Sequence, residues 1–563
     1  MSTTLATSPT PNISVGSTGN EAHETSKMEA TQAPKQEQQQ YLTGFYLYFV
    51  MAALIIIMFL ALLDISVIST AIPVITQEFQ SVRHIGWYGS GYQLASACMQ
   101  PLAGKLYTFY PSKLVFLAFL VVFEVGSVVC GTASSSAILI IGRAIAGLGA
   151  AGIIGGSNII MAAIVPLQKF PAFAGVGLGI SQLGLVGGPL LGGFLVTVPV
   201  GIAVAAPLIF LRVPDQFSKS ERPSFVVFIA RKMDIVGFLF LAPAATMVLL
   251  GLHFGGNEYP WNSAAIILMF VGASVLFALF CMFEGHKGAD ALLPLNILCK
   301  RVVWCSCLVM SFSMATNVCT SYFLPVYFQA VKQVKPIDSG VNLMPNIVSQ
   351  LLGGIISGLL VSKFGYYLPL AVVAGMLLTV GSGLISTYGP NTGLSKWIGY
   401  QTILGLGRGL GMQTPIIALQ SFLPAQELAI GTAIIMFGYT MGAAIFLSIG
   451  QSIFVNGLRS LIPLYAPDVD PEIMINGGVV RSARGRGAGE VTTRPPGELR
   501  GICEAINRVF YMTTCAGAAS FLFAWGMGWK SVKKHEGKDD VEKRAETSNE
   551  TTTAAAAAEG GSN

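Results

Sequence analysis

The chain has 563 residues, and only 11% of them are charged, against roughly 25% in a typical soluble domain. Six charged side chains lie in residues 1–45 and 13 in residues 530–563, which leaves 42 for the 484 residues between them. This composition excludes an ordinary soluble protein. It indicates an all-α protein that crosses a membrane many times, because apolar runs of about 20 residues match a hydrocarbon core of roughly 30 Å.

Fourteen apolar runs follow one another along the chain. An even number places both termini on one side of the membrane, and the loops that then face the cytosol are the basic ones, such as Lys105 to Lys113 and Lys287 to Arg301. We therefore expect disordered cytosolic tails at residues 1–45 and 530–563. The runs lie near residues 46–68, 86–106, 114–132, 138–160, 171–193, 195–213, 235–254, 264–283, 303–328, 342–362, 368–387, 397–418, 430–455 and 507–529.

An internal repeat predicts two related six-helix halves. The segments 104–113 and 358–367 close the second and tenth runs and share the pattern Gly-x-Leu-x-[Thr/Ser]. A Gly-Leu-Gly sequence follows each of them, at Gly147 and at Gly405. Repeats of this kind are typical of secondary transporters, whose substrate binds between the halves. The predicted divisions are an N-terminal half at 46–213, a cytosolic loop with two linker helices at 214–284, and a C-terminal half at 285–529 that includes a long outer loop at 457–506.

Other classes of function find no support in the sequence. The nine cysteines form no spaced framework for disulfides or zinc, and the net charge of +5 is not concentrated on one face, so we expect no nucleic-acid partner. The segment Gly147-Leu-Gly-Ala-Ala-Gly152 matches a dinucleotide fingerprint, but it lies inside an apolar run, where glycines serve helix packing. No catalytic motif is present, so we expect no enzyme activity, cofactor or metal.

Three charged residues within the runs are candidates for proton coupling: Asp64, Glu124 and Arg143. A charge inside a membrane costs about 2.5 to 3.5 kcal/mol, so such groups usually face a cavity or one another. Desolvation favours the neutral form of a carboxyl group, which suits a residue that loads and releases protons, whereas arginine keeps its charge. The alternatives are a hydrated helix end for Asp64, a static pair between Glu124 and Arg143, and a structural tie of Arg143 to backbone carbonyls. Arg408 is a further arginine, among glycines.

The fifth run carries the pattern Gly-x8-Gly-x3-Gly-Pro-x2-Gly-Gly, in which glycines recur every four residues on one helix face. Such a face allows close helix contact, and the proline allows a bend between rocking halves. With this string the sequence resembles the major facilitator superfamily, where the pattern is characteristic of antiporters. The residues concerned are Gly175, Gly184, Gly188, Pro189, Gly192 and Gly193.

Further segments narrow the resemblance to the fourteen-helix drug:proton antiporter branch and its fungal toxin-efflux members. They are Leu63 to Pro73, the segment that starts at Phe123-Glu124, Gly142-Arg143 with Gly147, and Tyr322 to Gln329. The repeated segments are similar to the family's loop motif, at Gly104, Thr108, Lys113, Gly358 and Gly365. In two places the chain departs from the family. Thr108 and Pro111 replace an Asp and a Gly of the loop motif, and the family's outer loop before the sixth helix is missing near residues 193–199.

The resemblance implies export of a hydrophobic or amphipathic small molecule, such as a toxin, drug or secondary metabolite, in exchange for protons. Alternatives are a vacuolar amino-acid or siderophore carrier of the same fold and a non-transporting membrane protein. We expect a monomer in the lipid bilayer of the plasma membrane, or alternatively of the vacuole, with a small-molecule substrate and protons as its partners. An aromatic wall for a flat substrate is one interpretation of the residues at 322–329, and an interfacial aromatic belt is the other. The candidate cavity residues are Gln182, Tyr322, Tyr327, Phe328 and Gln329.

Overall fold

The computed structural model describes residues 44–78, 85–191, 233–256, 259–288, 291–477 and 495–535, together with the single residues 42, 199 and 201. Within these ranges the chain is helical, and its β-structure is limited to two isolated bridges. Thirteen helices have at least 18 residues. They are α1 (Gly44–Glu78), α2 (Ile85–Phe109), α3 (Ser112–Gly131), α4 (Ser136–Ile164), α5 (Phe170–Leu191), α6 (Ile235–Phe254), α7 (Ala264–Lys287), α8 (Arg301–Val326), α9 (Met344–Phe364), α10 (Leu368–Ile385), α11 (Leu394–Gly411), α12 (Leu428–Tyr465) and α13 (Pro496–Ala524).

These helices confirm the predicted all-α membrane architecture. Ten segments among the described residues are long and apolar enough to cross a bilayer, and each predicted run except one coincides with one of the thirteen helices. The exception, residues 195–213, lies outside the described residues, as do the segment 193–198 and most of the two predicted tails. Shorter helical segments extend or connect the long ones, at Leu295–Leu298, Tyr327–Val331, Pro336–Val341, Thr414–Phe422 and Pro471–Gly477.

Two helices extend into residues 457–506, which the sequence predicts as a long outer loop. α12 continues to Tyr465 and α13 begins at Pro496, so both helices extend well beyond the apolar runs that predicted them. Polar contacts stabilise these extensions: Arg459 pairs with Glu472 at 2.7 Å, and the Arg500 guanidinium lies 5.0 Å from the ring centroid of Tyr465. Hydropathy marks the hydrocarbon core, and a helix can continue into water where such contacts support it. Residues 478–494, with their Arg/Gly-rich sequence, lie outside the described residues.

Backbone contact between α5 and α9 joins the N-terminal helices (α1–α5) to the C-terminal helices (α8–α13). A Cβ added at Gly175 would lie 2.3 Å from the carbonyl oxygen of Gly354, and one added at Gly358 would lie 2.4 Å from that of Pro171. Glycine is required here because no side chain fits between the two backbones. These contacts lie at the end of the bundle that is predicted to face the cytosol, so the two sets of helices meet tightly at that end.

A second contact between the two sets lies between α2 and α12. Gln100 Nε2 donates to Thr440 Oγ1 at 2.9 Å, and a Cβ added at Gly104 would lie 2.4 Å from the Cβ of Ala433. The short segment Thr414–Phe422 adds a third link through the preceding residue Gln413, which donates to the carbonyl of Ala174 in α5. Few polar bonds thus cross between the sets, and small residues make the close contacts.

α6 and α7 pair as a hairpin, and an acidic cluster fixes their shared end. Asp234 caps α6 by accepting from the Gly237 N–H at 2.9 Å, and it also accepts from Lys287 Nζ at 2.7 Å. The backbone N–H of Leu292 donates to Asp234 and to Glu284. Burial raises the pKa of Asp234, but the hydrogen bonds from Lys287 and Gly237 outweigh it and hold the pKa below its usual value. The cluster joins the hairpin to the loop that leads into α8.

Gly175→Ala should lower the free energy of unfolding by about 1 to 3 kcal/mol, because its Cβ forces α5 away from α9. Gly399→Ala in α11 is the matched control, since nothing lies within 4 Å of its added Cβ. Denaturation of both variants in mixed detergent micelles measures the effect. Equal stability of the two variants would contradict the close backbone contact.

Asp234→Asn should lower the free energy of unfolding at pH 7 by about 2 kcal/mol, the range for hydrogen bonds to charged groups. Because the folded-state pKa of Asp234 lies below its unfolded value, its ionised form stabilises the fold at neutral pH, and this contribution is lost as the pH falls below about 4. The gap between wild type and variant should therefore narrow in acid. Asp338→Asn, at an exposed position, is the control and should change the free energy of unfolding at pH 7 by less than about 0.5 kcal/mol.

Candidate functional site

A buried ion pair joins α1 and α4. Arg143 Nη1 lies 2.5 Å from Asp64 Oδ2, and the two side chains are 1% and 4% exposed. Arg143 Nε donates to the carbonyl of Tyr88 in α2 at 3.0 Å, and the guanidinium carbon lies 4.4 Å from the ring centroid of Tyr92, also in α2. One guanidinium on α4 therefore binds groups on two other helices, α1 and α2.

Glycines around Arg143 explain how the sequence brings these helices so close. A Cβ added at Gly147 would lie 2.2 Å from the carbonyl oxygen of Tyr92, and one added at Gly126 in α3 would lie 2.3 Å from the backbone nitrogen of Ala146. α4 therefore packs directly on the backbones of α2 and α3. These contacts fix the backbone of α4 near Arg143, and from there the side chain reaches Asp64 in α1 directly.

The burial of Asp64 bears on the alternatives considered for it. Asp64 lies well inside α1, which continues to Glu78, and the residue is only 3% exposed. It is therefore not a hydrated helix end. Removing two charges from water costs several kcal/mol for each ion, and the direct pairing with Arg143 offsets this cost.

Glu124 lies on α3 near this pair but does not join it. Both of its carboxylate oxygens are buried and have no hydrogen-bond partner among the described residues, and Asp64 is close enough to act on it electrostatically. A Cβ added at Gly201 would lie 1.8 Å from Glu124 Oε1, so the carboxylate lies against that residue. A static pair between Glu124 and Arg143 is absent in this conformation. The structure thus places all three predicted coupling residues in one region, as a pair with a third group beside it.

The glycines of the predicted antiporter motif contact two different helices. Gly175 faces α9, as described above, whereas a Cβ added at Gly184 would lie 2.5 Å from the carbonyl oxygen of Phe59 in α1. The motif helix therefore links the C-terminal helices to the part of α1 that carries Asp64. Gly188 and Pro189 lie in the helical backbone of α5, which continues to Leu191, and Gly192 and Gly193 lie outside the described residues.

The predicted loop motif lies at helix ends. Gly104 and Gly358 make the contacts between the two sets of helices, and Thr108 Oγ1 donates to the carbonyl of Gly104 at 2.9 Å. Gly365 ends α9 in a left-handed conformation, with φ of 81°, which only glycine adopts easily. Lys113 lies in the first turn of α3.

The aromatic residues at 322–329 do not lie together around one space. Tyr327 and Phe328 are buried, and their rings pack against Tyr388 and Trp397 with centroids 5.0 and 5.3 Å apart. Tyr322 instead is 49% exposed. Packing therefore occupies the two buried rings in this conformation. Of the other two candidate cavity residues, Gln329 lies within 3.5 Å of Ser339, and Gln182 is buried.

A small cavity lies between α8, α11 and α12. Its lining contains none of the cavity residues that the sequence predicted. One feature of the sequence could have indicated this cavity: Met310 and Met314 are four residues apart, which places them on one face of α8. The lining residues are Met310, Ser313, Met314, Asn317, Arg408, Met412 and Tyr439.

Comparison with known proteins establishes the family. A sequence model of the Major Facilitator Superfamily matches residues 54–447. The chain belongs to this family. It is 44% identical over 507 residues to the MFS-type transporter pigP of Monascus ruber, with 88% of each chain covered. It is 42% identical over 526 residues to the efflux pump mlcE of Penicillium citrinum, which covers 90% of this chain and 93% of that one.

The solved structures agree on the fold. The proton:xylose symporter XylE superimposes with a TM-score of 0.53 at 14% identity, covering 87% of this chain and 98% of its own. The predicted resemblance to the superfamily and to its fungal efflux pumps is therefore confirmed. The chain is a multi-pass membrane transporter of small molecules. Membership of this family indicates a transporter rather than an enzyme.

A double-mutant cycle should detect the ion pair. Arg143→Gln leaves the Asp64 charge buried and should cost about 3 to 5 kcal/mol of unfolding free energy. Adding Asp64→Asn should restore part of that loss, with a coupling energy of at least about 1 kcal/mol. The exposed pair Lys300–Glu427 is the control and should couple by less than about 1 kcal/mol. Additive effects at Asp64 and Arg143 would contradict a direct pair.

Proposed function

We propose that this protein is a proton-coupled antiporter that exports a hydrophobic or amphipathic small molecule, such as a toxin, drug or secondary metabolite. The observation that carries the proposal is the buried Asp64–Arg143 pair with the unpaired carboxylate of Glu124 beside it. Ionisable groups inside a membrane usually belong to a proton or substrate pathway.

The proposed coupling depends on the change of charge at Asp64. In the conformation described here, Arg143 neutralises the Asp64 carboxylate. A proton that binds Asp64 removes its negative charge, and the link between α1 and α4 then weakens to a hydrogen bond from the charged guanidinium to an uncharged carboxyl group. Arg143 keeps its charge and becomes available to the nearby Glu124 carboxylate. Binding of one proton thus switches Arg143 from Asp64 to Glu124. These two pairings are two states, and the helices that carry the residues can move when one state replaces the other.

The antiporter glycines provide the mechanical connection. α5 contacts α9 through Gly175 and α1 through Gly184, so displacement of α1 near Asp64 is transmitted to the contact between the N-terminal and C-terminal helices. These smooth surfaces allow sliding or separation with little side-chain rearrangement. In alternating access, the end that is closed here opens when the two sets rock apart.

The driving force and the cargo fit this arrangement. A proton that moves inwards through 100 mV releases about 2.3 kcal/mol, and no cofactor is needed. Three methionines line the cavity between α8, α11 and α12, which favours an apolar body over an amino acid. The relatives named as efflux pumps support outward transport. The basic loops support cytosolic termini, and we propose a monomer in the plasma membrane.

Purified protein in liposomes with an imposed pH gradient tests the proposal. An internal pH dye follows proton movement while a panel of amphipathic compounds is added. Asp64→Asn and Glu124→Gln should each reduce gradient-driven transport at least about tenfold, because each removes a group that binds a proton. Equilibrium binding of the substrate should persist in both variants.

Glu504→Gln is the matched control. Glu504 is a carboxylate on the membrane helix α13, and Tyr465 donates a hydrogen bond to it at 2.8 Å, away from the coupling region. This variant should keep gradient-driven transport. Unchanged coupling in both Asp64→Asn and Glu124→Gln, with folded protein, would refute the carboxylate mechanism.

A further inference from the structure

Arg408 is a buried cation that has no counter-ion among the described residues. The residue is 3% exposed and lies on α11 at the wall of the cavity described above. Its Nη2 donates to the carbonyl of Thr316 at 3.1 Å, and its Nε has no hydrogen-bond partner among the described residues. No carboxylate of the described residues pairs with it. Arg143, buried to the same degree, has Asp64 at 2.5 Å. The two arginines therefore differ in the one feature that offsets the burial of a charge.

The cost of that burial points to a missing anion. An isolated charge in a low-dielectric interior is strongly destabilising unless it is paired and hydrogen-bonded. A guanidinium presents five N–H donors in a planar fork that matches two oxygens of a carboxylate or a similar oxyanion. Here one backbone carbonyl satisfies a single donor. The remaining donors can bind a planar anionic group.

The backbone beneath Arg408 is held in place on its other side. A Cβ added at Gly405 would lie 2.2 Å from the carbonyl oxygen of Asn346, and one added at Gly409 would lie 2.1 Å from that of Gln350, both in α9. Glycines at these positions press α11 against α9, while Arg408 projects towards α8 and α12. The guanidinium is therefore preorganised, and binding costs little ordering of the backbone.

The rest of the cavity suits an apolar body attached to such an anion. Met310, Met314 and Met412 supply flexible, polarisable side chains, which adapt to irregular apolar shapes. Asn317 and Ser313 add polar groups on the same wall. In this conformation the cavity is small, with about 10 Å³ of free volume, which is room for about one water molecule, so its lining side chains must move apart to admit an anionic head and part of an apolar body.

The cavity also lies next to the contact between the two sets of helices. Tyr439 lines it, and the adjacent residue Thr440 receives the hydrogen bond from Gln100 in α2. A ligand bound at Arg408 therefore lies beside the residues through which α12 contacts α2.

We propose that Arg408 and the methionine-lined cavity form the subsite for an anionic oxygen group of the cargo, a carboxylate or an acidic enol, carried on an apolar body. This inference deepens the proposed function and rests on it for the identity of the ligand as cargo. The observation that supports this inference is that a buried guanidinium without a carboxylate partner among the described residues lies next to three methionines.

An isosteric pair of probes tests the subsite: 2-naphthoate and 2-naphthamide, which differ in charge but hardly in shape. Their affinities for protein purified in a neutral detergent are measured from the shift of the thermal unfolding midpoint with concentration. Wild type should bind 2-naphthoate at least about tenfold tighter than 2-naphthamide, as charge-assisted hydrogen bonds predict. Arg408→Gln should bind the two equally. Arg408→Lys should keep part of the preference, because it retains the charge without the fork.

Arg459→Gln is the matched control, because Arg459 pairs with Glu472 outside the cavity, and this variant should keep the full preference. The comparison within wild type requires no variant, so it decides the matter even if Arg408→Gln does not fold. Equal affinity of wild type for the two probes overturns the inference, as does a preference that Arg408→Gln leaves intact.

The two proposals fail in different measurements. The binding comparison uses no gradient, so it reports on the anion subsite alone. If the protein transports in response to a pH gradient but shows no preference for the anionic probe, the proposed proton coupling stands and the proposed subsite is refuted. If the protein prefers the anionic probe but does not respond to a pH gradient, the binding site at Arg408 stands and the proposed antiport is refuted.

Discussion

The ion pair between Asp64 and Arg143 is the constraint on which the N-terminal helices depend. The pair is buried, and the same guanidinium also binds the backbone of α2 at Tyr88 and the face of Tyr92. In apolar surroundings a charge holds its partner far more firmly than in water, because little solvent competes. The arrangement of α1, α2 and α4 is therefore tied to the charge of a single carboxyl group. A structural link of this kind is also a natural place for a proton to act.

Close packing of glycine complements this ion pair. Gly147 and Gly126 bring the backbones of α2, α3 and α4 together around Arg143, and Gly184 brings α5 against α1. Gly175 then connects the same helix to α9 of the C-terminal set. Inside lipid there is little hydrophobic drive between helices, so contact area and hydrogen bonds decide how they associate. Glycine thus positions the charges and leaves the contact between the two sets of helices smooth enough to move.

Much of the fold and of the candidate site was predictable. Apolar runs located the helices because every backbone group in lipid must be satisfied within its own helix, and charges were rare enough to single out Asp64, Glu124 and Arg143. The motif glycines were visible from their spacing. The ends of α12 and α13 were not predictable from hydropathy, because both helices continue past their apolar runs into polar sequence, where the contact of Arg459 with Glu472 supports α12. The aromatic segment at 322–329 was ambiguous, since composition does not distinguish rings that pack in a core from rings that line a cavity.

The sequence alone determined that this is a multi-helix membrane protein of the major facilitator type with charges inside its spans. This was possible because each segment must by itself avoid the cost of placing polar groups in lipid, so the order of residues along the chain reveals the segment. Which charges meet was decided only by the tertiary structure. Arg143 has a carboxylate partner, whereas Arg408 has none in the part of the chain that the structure describes, although both are buried arginines among glycines. Pairing depends on which helices touch and at what depth, and helix contacts join residues far apart in the chain.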